Sequence, residues 1–509
     1  MQYITHPLIK PETLEAREYQ ENIVKQALTK NLLCVLPTGL GKTPIAVMVA
    51  AERLDNFPDS QILVLAPTKP LTTQNCNAFK AFLDINEKQF QVVTGGTAVQ
   101  NREGFYRARK LIFATPQTIQ NDIKRGIINL ENFSLLVTDE AHHSIGKYSY
   151  PFIAKKYLDT AKHPRILALT ASPGATREKI SEIYNTLGIE IVEIKTERDE
   201  DVSPYVHTKE IEWISVELPD SFLEIKKLIE EAYFERLNKL KKMGFTKPVK
   251  LISKRDLLAL QQALFKLANR GERNAYWAIS VVSQAIKIDH ALGLLETQMI
   301  SSLMNYWKKL LKEKSKGGQE IVNDKSISRA IYLTNKLYEA GSRHPKIGRL
   351  CSIIDQQLSE NPHSKIIIFA NYRETVKEIV SVLEKISNSR PVMLIGQKSG
   401  LTQKAQIESI KRFDEGEYNI LVGTSISEEG LHLGTADIAI FYEPVPSEIR
   451  SIQRRGRVGR TKVGKIIILY TIKTRDEAYM WTAHHKEKRM KGIIYSMREE
   501  GKSLSSHLK

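Results

Sequence analysis

Short, wholly apolar runs recur along this chain, spaced by stretches of helical pattern. The first five are Leu32–Leu36, Ile62–Ala66, Leu111–Ala114, Leu135–Thr138 and Ile166–Thr170, each closed at its far end by Gly, Pro, Thr or Asp. A strand without polar alternation is covered on both faces, and strands separated by helices are joined by crossovers, not hairpins. The pattern therefore points to a parallel sheet between two layers of helices. It returns in Ile366–Ala370, Ile420–Val422, Ile438–Tyr442 and Ile466–Tyr470, with helices expected over Gln403–Phe413 and around Arg450. The expected fold class is α/β, with two parallel-sheet domains and a helical insertion between them.

The insertion is read over Val206–Arg343. It opens with a strand-like piece, Ile211–Val216, and then turns helical. Ile225, Leu228, Ile229, Ala232, Leu237 and Leu240 fall at helical spacing, as do Val281, Ile286, Leu292, Leu295 and Met299. Such stripes make a helical core. Lys308–Lys316 with Gly317-Gly318 reads as a solvated, mobile basic loop. The domains expected are thus 1–205, 206–343 and 344–509, the last with a basic helical tail over His484–Lys509.

Chemistry enters at two strand ends. Pro37-Thr38-Gly39-Leu40-Gly41-Lys42-Thr43 follows the first strand, and a helix is expected to start near Lys42. Glycines let backbone N–H groups turn inward on phosphates, and the helix N-terminus adds its positive end. Lys42 would reach the β/γ-phosphates and Thr43 would ligate Mg2+. The general phosphate-loop pattern has Gly where this chain has Leu36, so the match is incomplete. Asp139-Glu140 follows Leu135-Leu136-Val137, at the carboxyl end of a buried strand, where open α/β sheets place their ligands. Asp139 would hold Mg2+ and Glu140 would polarise a water. In the second half, Gln453 to Arg460 puts four arginines within seven residues, at 454, 455, 457 and 460. Guanidinium forks suit phosphates and an oxygen-rich transition state. Together these describe a nucleotide site split between two domains, one giving the cradle and the metal, the other the arginine fingers.

The net charge of +17 over 509 residues suggests a polyanionic partner, most simply nucleic acid. Cys34, Cys76 and Cys351 have no metal or disulfide spacing, which fits a reducing compartment. No apolar signal region opens the chain, and the apolar runs are strand-sized, so neither a transmembrane helix nor a membrane partner is expected. An intracellular, cytoplasmic or nucleoid location is expected.

These motifs resemble those of superfamily 2 helicases with two RecA-like domains. Arg17-Glu18-Tyr19-Gln20 resembles the adenine-reading Q motif, Ala66-Pro67-Thr68-Lys69-Pro70-Leu71 motif Ia, and Thr115-Pro116-Gln117 motif Ib. Asp139-Glu140-Ala141-His142 is a DEAH box, and Thr170-Ala171-Ser172 resembles motif III. Phe369-Ala370-Asn371-Tyr372-Arg373 resembles motif IV, Gly423-Thr424-Ser425 through Leu431 motif V, and Gln453 to Arg460 motif VI. The resemblance implies ATP and Mg2+ as cofactors and Arg17, Gln20 and 37–43 as the ATP-binding set. It implies that Lys42, Asp139, Glu140, Gln453, Arg457 and Arg460 are catalytic, and that Pro67, Thr68, Lys69, Thr115, Thr424 and Ser425 touch nucleic acid.

Three further strings narrow it: Leu294-Leu295-Glu296-Thr297-Gln298, Phe441-Tyr442-Glu443-Pro444-Val445-Pro446-Ser447 and Thr474-Arg475-Asp476-Glu477-Ala478-Tyr479. They resemble the archaeal Hef helicases, related to the Fanconi anaemia M-group translocases. That likeness implies a thumb-like insertion gripping branched DNA, and action at forks. RNA-stimulated helicases share the ATP motifs, so duplex RNA stays open as the substrate. A non-catalytic clamp is the alternative of another class, disfavoured by the complete catalytic set. His432-Leu433-Gly434 departs from the usual Asp of motif V, which puts ribose contacts in doubt. The Glu-Arg-Lys, three residues, Asp string of the Hef nuclease does not occur. The chain as given is expected not to cut DNA, with a nuclease on a separate chain or beyond this segment.

Overall fold

The computed structural model describes residues 2–37, 39–146, 148–171, 177–196, 199–205, 210–245, 247–248, 252–272, 274–395, 403–424, 436–444, 464–482, 485 and 492. The helix expected around Arg450 and nearly all of the tail from His484 lie outside them.

The first unit alternates as the apolar runs require. Its elements are α1 (Glu18–Thr29), β1 (Leu32–Val35), α2 (Lys42–Asn56), β2 (Gln61–Leu65), α3 (Lys69–Phe82), β3 (Phe90–Val93), α4 (Val99–Ala108), β4 (Leu111–Ala114), α5 (Pro116–Lys124), β5 (Phe133–Thr138), α6 (Ser149–Thr160), β6 (Ile166–Thr170), α7 (Arg177–Leu187) and β7 (Ile191–Ile194). The strands order β3-β4-β2-β5-β6-β1-β7, all pairings parallel. β1 lies between β6 and β7, with Leu32 opposite Leu167 and Ile191. Two apolar layers form, one on each face: Leu32 and Cys34 pack with α1 and α2, Leu33 and Val35 with α6 and α7. Cys34 is fully buried, a packing residue of this layer.

The second sheet holds β8 (Glu210–Val216), β9 (Ile366–Ala370), β10 (Pro391–Leu394), β11 (Ile420–Thr424), β12 (Ile438–Phe441) and β13 (Lys465–Thr471), in the order β10-β11-β9-β12-β13-β8. The sequence assigns β8 to the insertion. In the fold it is an edge strand of the second sheet, paired along its whole length with β13. The bundle that follows is α8 (Asp220–Lys242), α9 (Lys254–Ala268), α10 (Asn274–Thr297), α11 (Ile300–Leu311), α12 (Lys316–Val322) and α13 (Lys325–Glu339). α14 (Pro345–Glu360), α15 (Arg373–Leu383) and α16 (Gln403–Asp414) cover the second sheet.

Two local expectations are corrected. Lys308–Lys316 is a loop only over Lys312–Ser315: Lys308 to Leu311 close α11, and Lys316, Gly317 and Gly318 lie inside α12. Its apolar residues explain this, since Trp307, Leu310 and Ile321 are buried in the bundle core. Met299 is not on the α10 stripe. It is the N-cap of α11 and joins the core of the second sheet. Among the described helices, Ala275–Thr297 is long and apolar enough to cross a membrane by length and composition. Its most apolar window is 61% buried, and α10 packs between α8 and α9, so a core helix accounts for its apolarity.

The bundle is also pinned to the second unit by polar contacts. Arg475 holds Asp289 with both terminal nitrogens, at 2.8 and 3.1 Å, and its Nε is 3.3 Å from Glu296. Thr375 donates to Gln298 at 2.7 Å. Within the second unit itself, Lys346 Nζ on α14, fully buried, is 2.7 Å from Asp476 and lies 4.7 Å from the centre of the Tyr442 ring.

Candidate functional site

The loop after β1 turns sharply. Gly39 and Gly41 have φ of 90° and 80°, a region that strains any residue with a Cβ. Space adds a second reason at Gly41: a Cβ there would come within 2.2 Å of Gln20 Nε2. Gly41 is the N-cap of α2, and Lys42 is its first residue. The first-turn N–H groups of α2 therefore stand at the loop, as an anion site requires. Lys42 Nζ donates to the Leu36 carbonyl at 3.0 Å, folded back over the loop.

α1 backs this loop. Tyr19 OH donates to the Leu40 carbonyl at 2.8 Å, and Gln20 Nε2 reaches the same oxygen at 3.2 Å. Arg17 instead pairs with Glu15 at 2.8 Å and lies over the Tyr205 ring. Gln20 thus abuts the phosphate loop in this structure and Arg17 does not. Tyr19 was not singled out by the sequence reading, although it stands inside the Arg-Glu-Tyr-Gln string.

β5 delivers the acidic pair to the same end of the sheet. Asp139 is braced on three sides: Asn75 Nδ2 donates to its Oδ2 at 3.0 Å, the Glu140 N–H to its Oδ1 at 2.9 Å, and Tyr150 OH to its carbonyl at 2.8 Å. Asn75 and Tyr150 were missed, because a buried polar residue on a helix gives no motif. Glu140 has φ 52°, a left-handed backbone rare for a residue with a side chain. Strain of that kind clusters at functional positions. His142 Nδ1 lies 3.3 Å from both Glu140 Oε2 and Thr170 Oγ1, tying the acidic pair to the end of β6. Burial pushes the His142 imidazole down to about 3, with the charges of His143 and Lys42 adding to it, so the ring is neutral. β1 and β5 are parallel strands of one sheet, so the two motifs stand at the same carboxyl end.

The residues fit a nucleotide with Mg2+. Thr43 in the first turn of α2 and Asp139 offer hard oxygens, and the paired positive-φ glycines leave open backbone beside them. Pro67 and Thr68 follow β2, Thr68 being the N-cap of α3, Lys69 its first residue and Thr115 the N-cap of α5. β2 and β4 are neighbours, so these positions share one edge of the sheet's carboxyl face. Thr424 ends β11, buried. Thr38, Ser425, Gln453, Arg457 and Arg460 lie outside the described residues.

Two parallel sheets, a glycine phosphate loop and a braced Asp-Glu pair fit the class of phosphate-loop nucleotide hydrolases. The comparisons agree. Residues 17–180 match the DEAD/DEAH box helicase family, 345–462 the helicase conserved C-terminal domain, and 221–341 the family described as "Putative ATP-dependent RNA helicase, helical bundle". The chain is similar to "Putative ATP-dependent RNA helicase MJ1505" of Methanocaldococcus jannaschii, 44% identical over 97% of this chain and 63% of that protein. It is similar to the ATP-dependent DNA helicase fml1 of Schizosaccharomyces pombe, 35% identical over 98% of this chain and 61% of that protein. Among solved structures, the Pyrococcus furiosus Hef helicase domain aligns with a TM-score of 0.74 and 42% identity, over 94% of this chain and all of that one. The chain belongs to the DEAD/DEAH box helicases of superfamily 2, and within them to the Hef group. It spans under two thirds of the length of these two curated relatives.

Proposed function

We propose that this chain is an ATP-hydrolysing DNA helicase or translocase that remodels forked or branched DNA. The observation that carries the reading is the placement of Lys42, Asp139, Glu140 and His142 at the carboxyl end of one parallel sheet. A passive clamp has no use for a strained glutamate beside a braced aspartate.

In this reading the loop N–H groups and Lys42 bind the β/γ-phosphates, and Gln20 and Arg17 serve the adenine side. Thr43 and Asp139 hold Mg2+, which offsets phosphate charge when bound. Glu140 orients and polarises the attacking water, and neutral His142 holds Glu140 in place without competing for its charge. Arg457 and Arg460 act as fingers from the second unit, with Gln453 beside them. Pro67, Thr68, Lys69, Thr115, Thr424 and Ser425 take the nucleic-acid backbone.

DNA as the substrate is supported by the names of the fml1 relative and by membership of the Hef group. Such a reading places the chain with DNA inside the cell. Duplex RNA is the second reading, favoured by the printed name of the 44%-identical relative. ATPase rates with single-stranded DNA, linear duplex, forked DNA and duplex RNA decide between them. Forked DNA should stimulate most; strongest stimulation by duplex RNA would reverse the substrate assignment.

A further inference from the structure

A cleft of about 740 Å³ lies between α11 of the insertion and the turn that follows β9. One wall carries Tyr306, Lys308, Lys309 and Lys312, the other Tyr372 and Arg373. These walls are some sixty residues apart in sequence and meet only because the bundle is pinned to the second unit.

Elsewhere in the bundle, Lys226, Lys239, Lys247 and Lys287 pair with carboxylates. Among the described residues, none of Lys308, Lys309, Lys312 and Arg373 forms an ion pair. The carboxylate in the lining, Glu374, is 3.4 Å from Lys377 and so is partly offset. Lys308 lies over the Tyr338 ring at 5.5 Å, but four cations converging without a carboxylate partner leave a strong field for an anion. Lys308 and Lys312 are one turn apart, roughly 6 Å along α11. That spacing presents a row of charge, not a point. Tyr372 is the N-cap of α15, makes no side-chain cap bond, and is 43% exposed at the cleft mouth.

We propose that this cleft binds a single-stranded segment of nucleic acid, its phosphates along Lys308, Lys309, Lys312 and Arg373 and a base on the Tyr372 ring. A paired base is stacked inside its duplex and cannot lie on a tyrosine, whereas an unpaired base can. The proposal rests on the nucleic-acid reading above and deepens it. It assigns the unpaired arm of a branched substrate to a site joining the insertion to the second sheet.

The test uses the full chain without nucleotide. Anisotropy titrations with a fluorescent 12-nucleotide oligothymidine and with a linear duplex are run from about 50 to 300 mM salt. The variants are Lys309→Ala/Lys312→Ala and, as an equal-charge control on α6 of the first unit, Lys155→Ala/Lys156→Ala. Single-strand binding loses about 0.7 log units per decade of salt for each phosphate contact. The cleft pair should therefore flatten the oligothymidine slope by about 1.4, and the control pair should leave it unchanged. Tyr372→Ala should weaken oligothymidine binding about fivefold or more, with Tyr372→Phe retaining it.

Equal slopes for wild type and cleft pair would overturn the cleft assignment while leaving the nucleic-acid reading standing. A slope change confined to duplex would overturn the single-strand assignment. A polyglutamate peptide competing as well as oligothymidine, and lost in the same variants, would assign the cleft to an acidic peptide instead. A wild-type protein that binds neither probe would overturn the nucleic-acid reading itself.

Discussion

Lys346 and Asp476 form an ion pair that is almost wholly out of water, with the two side chains 0% and 1% exposed. Thr471 N–H also donates to Asp476 at 3.2 Å, and Lys346 lies over the Tyr442 ring. Burial pushes the Asp476 carboxyl up even against the pull of Lys346. Breaking such a pair from one side costs about 3–5 kcal/mol, because the other charge is stranded. The stranded group has an escape, which is to neutralise, and its cost depends on pH in opposite directions for the two partners.

In Lys346→Met the stranded group is Asp476. Taking up a proton at pH 7, against an unfolded value near 3.9, costs about 4 kcal/mol, falling by about 1.4 per pH unit as the pH drops. In Asp476→Asn the stranded group is Lys346. Giving up its proton at pH 7, against about 10.4, costs about 4.6 kcal/mol, and this cost falls as the pH rises. The signs follow from linkage. A raised folded carboxyl makes the folded state bind more protons, so the first variant is relatively better at pH 5.5. A depressed folded lysine makes the unfolded state bind more, so the second is relatively better at pH 8.5. Calorimetric melts of the transition that includes the second unit, at pH 5.5, 7 and 8.5, should show the two deficits crossing. The double variant Lys346→Met/Asp476→Asn should recover much of the loss at every pH. Parallel deficits with no pH dependence would refute the claim that either charge is stranded in a dry site.

Lys42→Ala should lower ATP turnover by about a hundredfold or more, as for removal of a transition-state charge partner, measured by steady-state phosphate release. Glu140→Gln keeps the shape of the side chain and should cut turnover by about 10²–10⁴ with ATP binding retained, read by nucleotide binding and single-turnover assays. His142 and His344 are buried neutral, the first held down to about 3 and the second well below its usual range, burial being the main cause in both. The unfolded chain binds those protons near pH 6.5, so stability should fall with acid. About 3 kcal/mol is lost by pH 5.5 from the two rings together, and a melting temperature unchanged between pH 7.5 and 5.5 would contradict their burial.

The interior strands were legible because a strand with neighbours on both sides is apolar at every position. β4, β6 and β9 match their apolar runs residue for residue, and β5 differs only by two residues at its start. β3, β7 and β10 were not seen. They are edge strands with partly exposed middles, so their composition reads as loop. The phosphate loop and the Asp-Glu pair were legible because their chemistry is local. Asn75 and Tyr150 were not, since each acts across the fold on a backbone or carboxylate that the sequence does not place nearby. The cleft was half visible: Lys308–Lys316 stood out as charge, but misread as loop it had no facing wall, and Tyr372 and Arg373 carried only a motif label.

The contacts of the insertion also bear on how ATP closure would reach its basic cleft. By sequence the insertion is a tether between two sheets, and a tether could swing with either. In the fold it is built into the second. β8 extends that sheet, Met299 sits in that sheet's core, and Arg475 clamps α10 through Asp289 and Glu296. Moving the bundle away from the second unit would part Arg475 from Asp289 and Glu296, charges held in largely dry surroundings, at a cost of several kcal/mol. No comparable buried ionic network among the described residues ties the bundle to the first unit. A displacement of the second sheet toward the phosphate loop therefore carries α11 with it, and the cleft keeps its shape while its position over the first unit changes. Arg475→Ala would remove the clamp that makes this motion rigid.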